Sequence, residues 1–160
     1  MDVYGRHASA GTLSPDRRAG QTTAGPGRAF HAGVPTDHRQ SLGKWGEDLA
    51  CAELIRRGYA ILARRYRTRI GEIDIVCRHG DTLVFVEVKA RSTGRFGGGA
   101  AAVTAVKQRR IVQMAMNFLA RSGLTAVPCR FDVVVVDVEP DRVLVDVFAN
   151  AFTVPASLYV

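Results

Sequence analysis

Two β-forming runs, about Ile70 to Arg78 and Thr82 to Arg91, stand on either side of a Gly80-Asp81 pair, and nothing else in the chain constrains its fold as tightly. Glycine at the first central position suits a two-residue type II′ hairpin loop. With Gly80 and Asp81 as the loop, His79 faces Thr82. Counting outward, Asp74 then faces Glu87 and Glu72 faces Lys89. Directly opposed residues share a face of the sheet, with Cβ atoms ~4.5–5.5 Å apart. Side chains alternate between faces. The register therefore predicts that Glu72, Asp74, Glu87 and Lys89 gather on one face. A bulge or a longer loop would shift it.

Such a face has two readings. In the first it points at water, with Ile73, Ile75, Val84, Val86 and Val88 turned inward, as alternating charge usually implies. In the second it is part of a site. Val76, Leu83 and Phe85 fall on the same face as the acids, and Leu83 to Val88 is apolar apart from Glu87, as expected of an interior strand. Carboxylates on a partly buried face repel one another and lose hydration, and a divalent cation relieves both costs. Hard cations such as Mg²⁺ or Mn²⁺ take oxygen donors. Asp74 and Glu87 could supply carboxylates and Val88 its backbone carbonyl. Lys89 would lie beside the water or the phosphate. The neighbouring carboxylates are expected to favour its charged form, which suits positioning and charge stabilisation better than general base work. A bound metal can itself lower the pKa of a water and stabilise charge on phosphorus.

Outside the hairpin the chain divides near residue 40. Residues 1–40 are rich in Gly, Ala, Thr, Pro and Arg, without periodicity, and read as a disordered basic tail. A start codon placed too far upstream accounts for it equally well. His7, His31 and His38 lie there without metal-ligand spacing. Residues 41–160 read as one domain, and 47% hydrophobic content in 160 residues suffices for one sizeable core. Ser41 can cap a helix to about Arg57, with Gly58 as its stop and Leu42, Trp45, Leu49 and Ala52 along one face bordered by Glu53. A short strand follows at about Tyr59 to Tyr66. After a Gly-rich loop from Gly94 to Ala102, a helix runs from about Val103 or Thr104 to Arg121. Val103, Val106, Ile111, Met114 or Ala115, and Phe118 face its core, and Gly123 ends it. Cys129 to Val138 and Arg142 to Phe148 read as strands. The order α-β-β-β-α-β-β indicates an α/β fold, a mixed sheet with helices packed against it. Trp45, Phe118 and Phe131 are expected in the core. Gly97-Gly98-Gly99 lacks the endings of phosphate-binding loops and reads as a lid or linker. Asp132 could support the site or be a strand-end charge.

The net charge of +7 favours a polyanionic partner, without choosing between DNA, RNA and anionic lipid. The tail holds five arginines against three aspartates, so about +5 stays with the domain. Cys51, Cys77 and Cys129 are odd in number and widely spaced, which fits reduced core residues rather than a disulfide framework or zinc site. No apolar leader and no run of ~20 apolar residues is visible, so the expectation is a soluble cytoplasmic protein without a membrane partner.

Gly71-Glu72-Ile73-Asp74-Ile75 followed by Phe85-Val86-Glu87-Val88-Lys89-Ala90-Arg91 resembles the signature of the YraN-like family of small bacterial proteins. That family is similar to the restriction-endonuclease-like, PD-(D/E)xK nucleases, including Holliday junction resolvases. The resemblance covers about residues 43–152. Gly46-Glu47-Asp48-Leu49-Ala50, Gly58-Tyr59, Tyr66-Arg67, Lys107-Gln108-Arg109-Arg110-Ile111, Arg130-Phe131-Asp132-Val133-Val134 and Asn150-Ala151-Phe152 also match. It implies a restriction-endonuclease-like sheet flanked by helices, Asp74 and Glu87 as metal ligands and Lys89 as the catalytic lysine. By the same resemblance Glu47 is the helix acid that completes such sites, and Gln108 the glutamine of the following helix, near a phosphate. Arg65 departs from the Asn that the family usually has, at a position expected not to touch the ligands. The tail has no counterpart.

Given that site, Arg64, Arg67, Arg91, Arg95, Arg109 and Arg110 could form a basic rim for a nucleic-acid backbone. The expected function is a Mg²⁺- or Mn²⁺-dependent endonuclease acting on DNA, branched or otherwise structured DNA included. A homodimer would suit a junction-cutting enzyme, which needs two sites. The alternatives are a nucleic-acid-binding module with a weak or silent nuclease site, or an interaction protein using the basic tail.

Overall fold

The computed structural model describes residues 28–30, 39–91, 103–124 and 126–154, with side chains from residue 42 onward. The hairpin forms as expected, from strands β3 (Gly71–His79) and β4 (Thr82–Arg91). Gly80 takes φ +59°, which the tight turn requires and a side chain would resist. Pairing runs from His79↔Thr82 to Ile75↔Val86 and stops there. Beyond that point β3 stays paired with strand β2 (Ala60–Thr68), up to Thr68↔Gly71.

The remaining elements complete one sheet. Strands β5 (Cys129–Val138) and β6 (Val143–Phe152) follow helix α2 (Ala105–Ser122), and helix α1 (Arg39–Arg56) precedes β2. A short strand β1 (Arg28–Phe30) pairs antiparallel with β6. The strand order is β1-β6-β5-β4-β3-β2, with β4 and β5 parallel and the other described pairs antiparallel. Within the expected tail, Arg28–Phe30 pair along the edge of β6; the rest of 1–38 lies outside the described residues. The loop 92–102, with Arg95 and Gly97 to Gly99, lies outside them too.

The sheet carries a core on each face. On one, Ala50, Cys51 and Leu54 of α1 meet Ile75, Cys77, Val84, Val86, Val134 and Val136. On the other, Ile111, Val112, Met114 and Ala115 of α2 meet Val76, Leu83, Phe85, Phe131, Val133 and Val135. Alternation along β4 produces this split, and both faces being covered explains the unbroken apolar run. Ile73 departs from the expected face and joins the α2 core, past the end of the β3–β4 ladder. Val106, expected in the core, is exposed. Ala52 is exposed as well, whereas Glu53 is fully buried, its carboxylate held by Arg56 and Arg57. Cys51 and Cys77 are core residues, but Cys129 is exposed. Among the described residues, no helix is long and apolar enough to cross a membrane.

Two local features place the helices against the site. Gly46 lets α1 sit on β4: a Cβ there would come within 2.7 Å of the Ala90 Cβ. Helix α2 starts from an N-cap at Thr104, whose side chain accepts from the Lys107 N–H, and ends at Gly123 with φ +67°. Because α2 is the crossover from β4 to its parallel neighbour β5, its N-terminus lies toward the carboxyl end of β4. Sites collect at that end of parallel strands.

Candidate active site

Asp74 and Glu87 meet on the α2 face at the point where β3 and β4 separate. Ile75↔Val86 is the last ladder pair, so Asp74 and Glu87 are the next opposed residues. Where the backbone ladder has ended, a side chain extends it: Asp74 Oδ2 accepts from the Val88 N–H at 2.7 Å. The N–H and C=O of one strand residue point to the same side, so the Val88 carbonyl also faces β3. The Asp74 carboxylate is thus fixed against β4, close enough to Glu87 for that charge to raise its pKa.

The electrostatics follow from burial. Glu87 is only 5% exposed. Burial, and then the Glu87 charge, push the Asp74 carboxyl up to about 7, against the Val88 N–H and the Lys107 charge, which lower it. The ammonium of Lys107, from the first turn of α2, bonds Glu87 Oε1. Lys89 lies two residues beyond Glu87 on the same strand face. Its pKa is lowered, because burial outweighs the attraction of Glu87, with Lys107 and Arg91 adding repulsion. Glu87 does favour the charged form, as expected of a neighbouring carboxylate, but burial opposes it more strongly.

A cleft of about 470 Å³ opens beside these groups, lined by Asp74, Glu72 and Gly71 of β3, Ile70, and Thr104, Val106, Lys107, Arg110 and Met114 from α2 and its cap. Gly71, with φ +150°, lies under Met114: a Cβ there would meet the Met114 sulfur at 3.3 Å. Acidic oxygens on one wall and cations on the other suit a ligand that carries both charges, such as a phosphate with its metal ion.

The profile of the Uncharacterised protein family UPF0102 matches residues 46–136, which span the two acids, Lys89 and all of α2. The chain is 46% identical to a UPF0102 protein of Geobacter sulfurreducens over 121 residues, 75% of this chain and 94% of that protein. This protein belongs to UPF0102. Further members are similar to it: one from Symbiobacterium thermophilum is 48% identical over 112 residues, 69% of this chain and 95% of its own length. Another, from Ralstonia pickettii, is 52% identical over 108 residues, covering 65% and 86%. The YraN-like resemblance of the hairpin motifs is thereby borne out.

The other residues singled out in this UPF0102 sequence are placed as follows. Glu47 sits on α1 with its carboxylate held by Arg65, Nε to Oε2 at 2.7 Å and Nη2 to Oε1 at 3.2 Å. Arg65 thus does touch a proposed ligand, contrary to expectation. It stands opposite Asp74 in the β2–β3 register and takes φ 52°, a left-handed conformation that Asn tolerates far better. Glu47 still reaches Asp74 electrostatically, as the weakest influence raising its pKa. Among the described residues, no group of three or more His, Cys, Asp or Glu side chains is arranged to hold a metal. Glu72 accepts from the Arg67 Nε at 2.6 Å. Gln108 donates to the Val103 carbonyl at 2.8 Å and so ties the residue before the N-cap back to α2.

The basic rim is only partly assembled. Arg64 pairs with Asp48 and Arg67 with Glu72, whereas Arg110 lines the cleft and Arg109 is exposed on the same helix. Arg91 is half-buried at the end of β4. Asp132 belongs to another assembly. It is fully buried, on the α1 face by alternation with Val134, and accepts from Arg130, Tyr59 and the Asn150 N–H. Tyr59 also stacks on His79, with ring centroids 4.1 Å apart. That network ties β5 to a bulge of β6 and does not serve the acids.

Two features escaped sequence reasoning. Lys107 received no role, although its position in the first turn of the crossover helix was the available signal. The Tyr59–Asp132 network was signalled only by a lone acid inside an apolar strand.

Proposed function

We propose that this protein is a metal-dependent endonuclease that hydrolyses phosphodiester bonds in DNA, on a restriction-endonuclease-like fold. One observation carries the reading: just past the last β3–β4 pair, Ile75↔Val86, Asp74 lies within electrostatic reach of Glu87, with Lys89 two residues on and a cleft beside Asp74 that Lys107 and Arg110 also line. The donor set fits Mg²⁺ or Mn²⁺. Two carboxylates and the Val88 carbonyl are hard oxygen ligands, and such ions fill their remaining positions with water and substrate phosphate. The raised pKa of Asp74 and the ammonium on Glu87 are both signs of a pocket that calls for positive charge. When bound, the metal supplies an activated water and Lewis-acid stabilisation of the phosphoryl oxygens.

The chain's own residues do the rest. Asp74 and Glu87 hold the ion, with Asp74 fixed by the Val88 N–H. Lys89 stabilises charge at phosphorus and orients the attacking water. Arg110, with Lys107, meets the phosphate backbone in the cleft. The test is nicking and junction cleavage with Mg²⁺ or Mn²⁺ by wild type, Asp74→Ala and Lys89→Ala. Both variants are expected to lose activity by roughly 10²-fold or more, the scale on which such groups stabilise a transition state. Equal activity in all three proteins sinks the reading.

A second reading, a nucleic-acid-binding module with a silent site, draws on the pairing of Glu87 with Lys107 and of Glu47 with Arg65. Salt-dependent DNA binding that survives loss of Asp74, with no cleavage of any substrate, would favour it.

A further inference from the structure

We propose that Lys107 is a built-in counter-ion of Glu87 that a divalent cation must displace, so that this side chain sets how strongly the site takes metal. The inference rests on the metal-site reading above and adds a residue to which that reading gives only a phosphate contact.

Three observations support it. Glu87 is buried in an interior strand, with β5 paired along one side, so its carboxylate has little access to water. A buried carboxylate without a partner is strongly destabilising, and Lys107 supplies the partner. The lysine is anchored at its backbone: its N–H bonds the Thr104 cap, which fixes the start of α2 over the acids. Its side chain is nevertheless 49% exposed and lines the cleft, so the ammonium can leave Glu87 for water without any movement of the helix.

The chemistry of the pair makes exchange easy. An ammonium is a compact, strongly hydrated point charge on a flexible stem. The guanidinium of Arg65, which grips Glu47 with two nitrogens, is the contrasting case within the same fold. A divalent ion on Glu87 would lie within a few ångströms of the ammonium, and at that separation the two cations repel strongly. Lys107 therefore has to swing away as the metal arrives. The cleft then receives the released charge one turn from Arg110.

The experiment is Mn²⁺ binding to the full chain by calorimetry, without nucleic acid, for wild type, Lys107→Met, Lys107→Arg and Glu87→Gln. Lys107→Met is expected to bind Mn²⁺ roughly tenfold more tightly, Lys107→Arg like wild type or more weakly, and Glu87→Gln to lose binding. If Lys107→Met binds no more tightly than wild type while Glu87→Gln abolishes binding, the proposal falls and the metal-site reading stands. If none of the four proteins binds Mn²⁺, both fall. A measurement on the wild type needs no folded variant. The chain has three lysines, Lys44, Lys89 and Lys107, so the ammonium nitrogens can be followed by NMR. Saturating Mg²⁺ should shift the Lys107 resonance as its bond to Glu87 breaks. A resonance that stays put while Mg²⁺ binds overturns the proposal.

Discussion

An aspartate buried beside a glutamate keeps its proton to a higher pH than one in water. Asp74 is in that position, and its pKa rises from 3.8 to about 7, with burial the larger cause and Glu87 the second. The folded state thus holds a proton that the unfolded chain releases near pH 4. Stability from this group is complete below the unfolded pKa, falls as pH rises, and is fully lost above the folded pKa. Asp74→Asn removes the effect while keeping an oxygen for the Val88 N–H. In chelator, the variant is expected to match wild type near pH 4 and to exceed it by roughly 1–3 kcal/mol at pH 8. Urea melts across that range check the sign. A gap between the two proteins that does not widen with pH would contradict the burial argument. On the proposed function, Asp74 is a site residue that weakens its own fold, a common trade-off at active sites.

At the scale of elements, Gly46 decides how closely α1 approaches β4. Replacing a helical glycine with alanine usually stabilises by roughly 0.5–1 kcal/mol. Here the added methyl would sit 2.7 Å from the Ala90 Cβ, on the backbone-proximal part of an interior strand. The clash reverses the sign, and Gly46→Ala is expected to cost roughly 1–3 kcal/mol. Ala90→Gly in the same chain should restore most of the loss, which thermal unfolding of the single and double variants will read. The contact also matters for the site, since Glu47 is the next residue along α1 and Lys89 the residue before Ala90. A shift of α1 would therefore carry the Glu47–Arg65 pair with it.

For the molecule as a whole, net charge matters less than which charges are already paired. The chain carries +7, yet Arg64, Arg65 and Arg67 on β2 are neutralised by Asp48, Glu47 and Glu72. Exposed pairs of this kind add little to stability and also leave little net field for a polyanion. Helix α2 differs, since Arg109 and Arg110 form none of the described ion pairs and Arg110 opens on the cleft. On the proposed function, DNA binding is therefore expected to depend on α2 rather than β2. Arg109→Gln with Arg110→Gln should lower the salt slope of binding by about two, roughly one per phosphate contact, while Arg64→Gln with Arg67→Gln leaves it nearly unchanged. Fluorescence anisotropy with a labelled duplex at several salt concentrations separates the two outcomes.

Much of the scaffold was legible because it is local. The Gly80-Asp81 turn, the alternation of Leu83 to Val88 and the Gly123 stop each depend on neighbours a few residues away, and the hairpin register, from His79↔Thr82 to Ile75↔Val86, follows from the turn by counting. Contacts between residues distant along the chain were not legible. Lys107 on Glu87, Arg65 on Glu47, Asp132 beneath Tyr59 and β1 beside β6 join segments whose approach depends on how two helices pack on opposite faces of one sheet. The burial of Glu53 and the exposure of Val106 have the same origin, since periodicity identifies a helix but only its neighbours decide which side is covered. The chain by itself determined the hairpin that carries Asp74 and Glu87. Tertiary packing decided which cations meet them, because long charged side chains take their partners from space rather than from sequence.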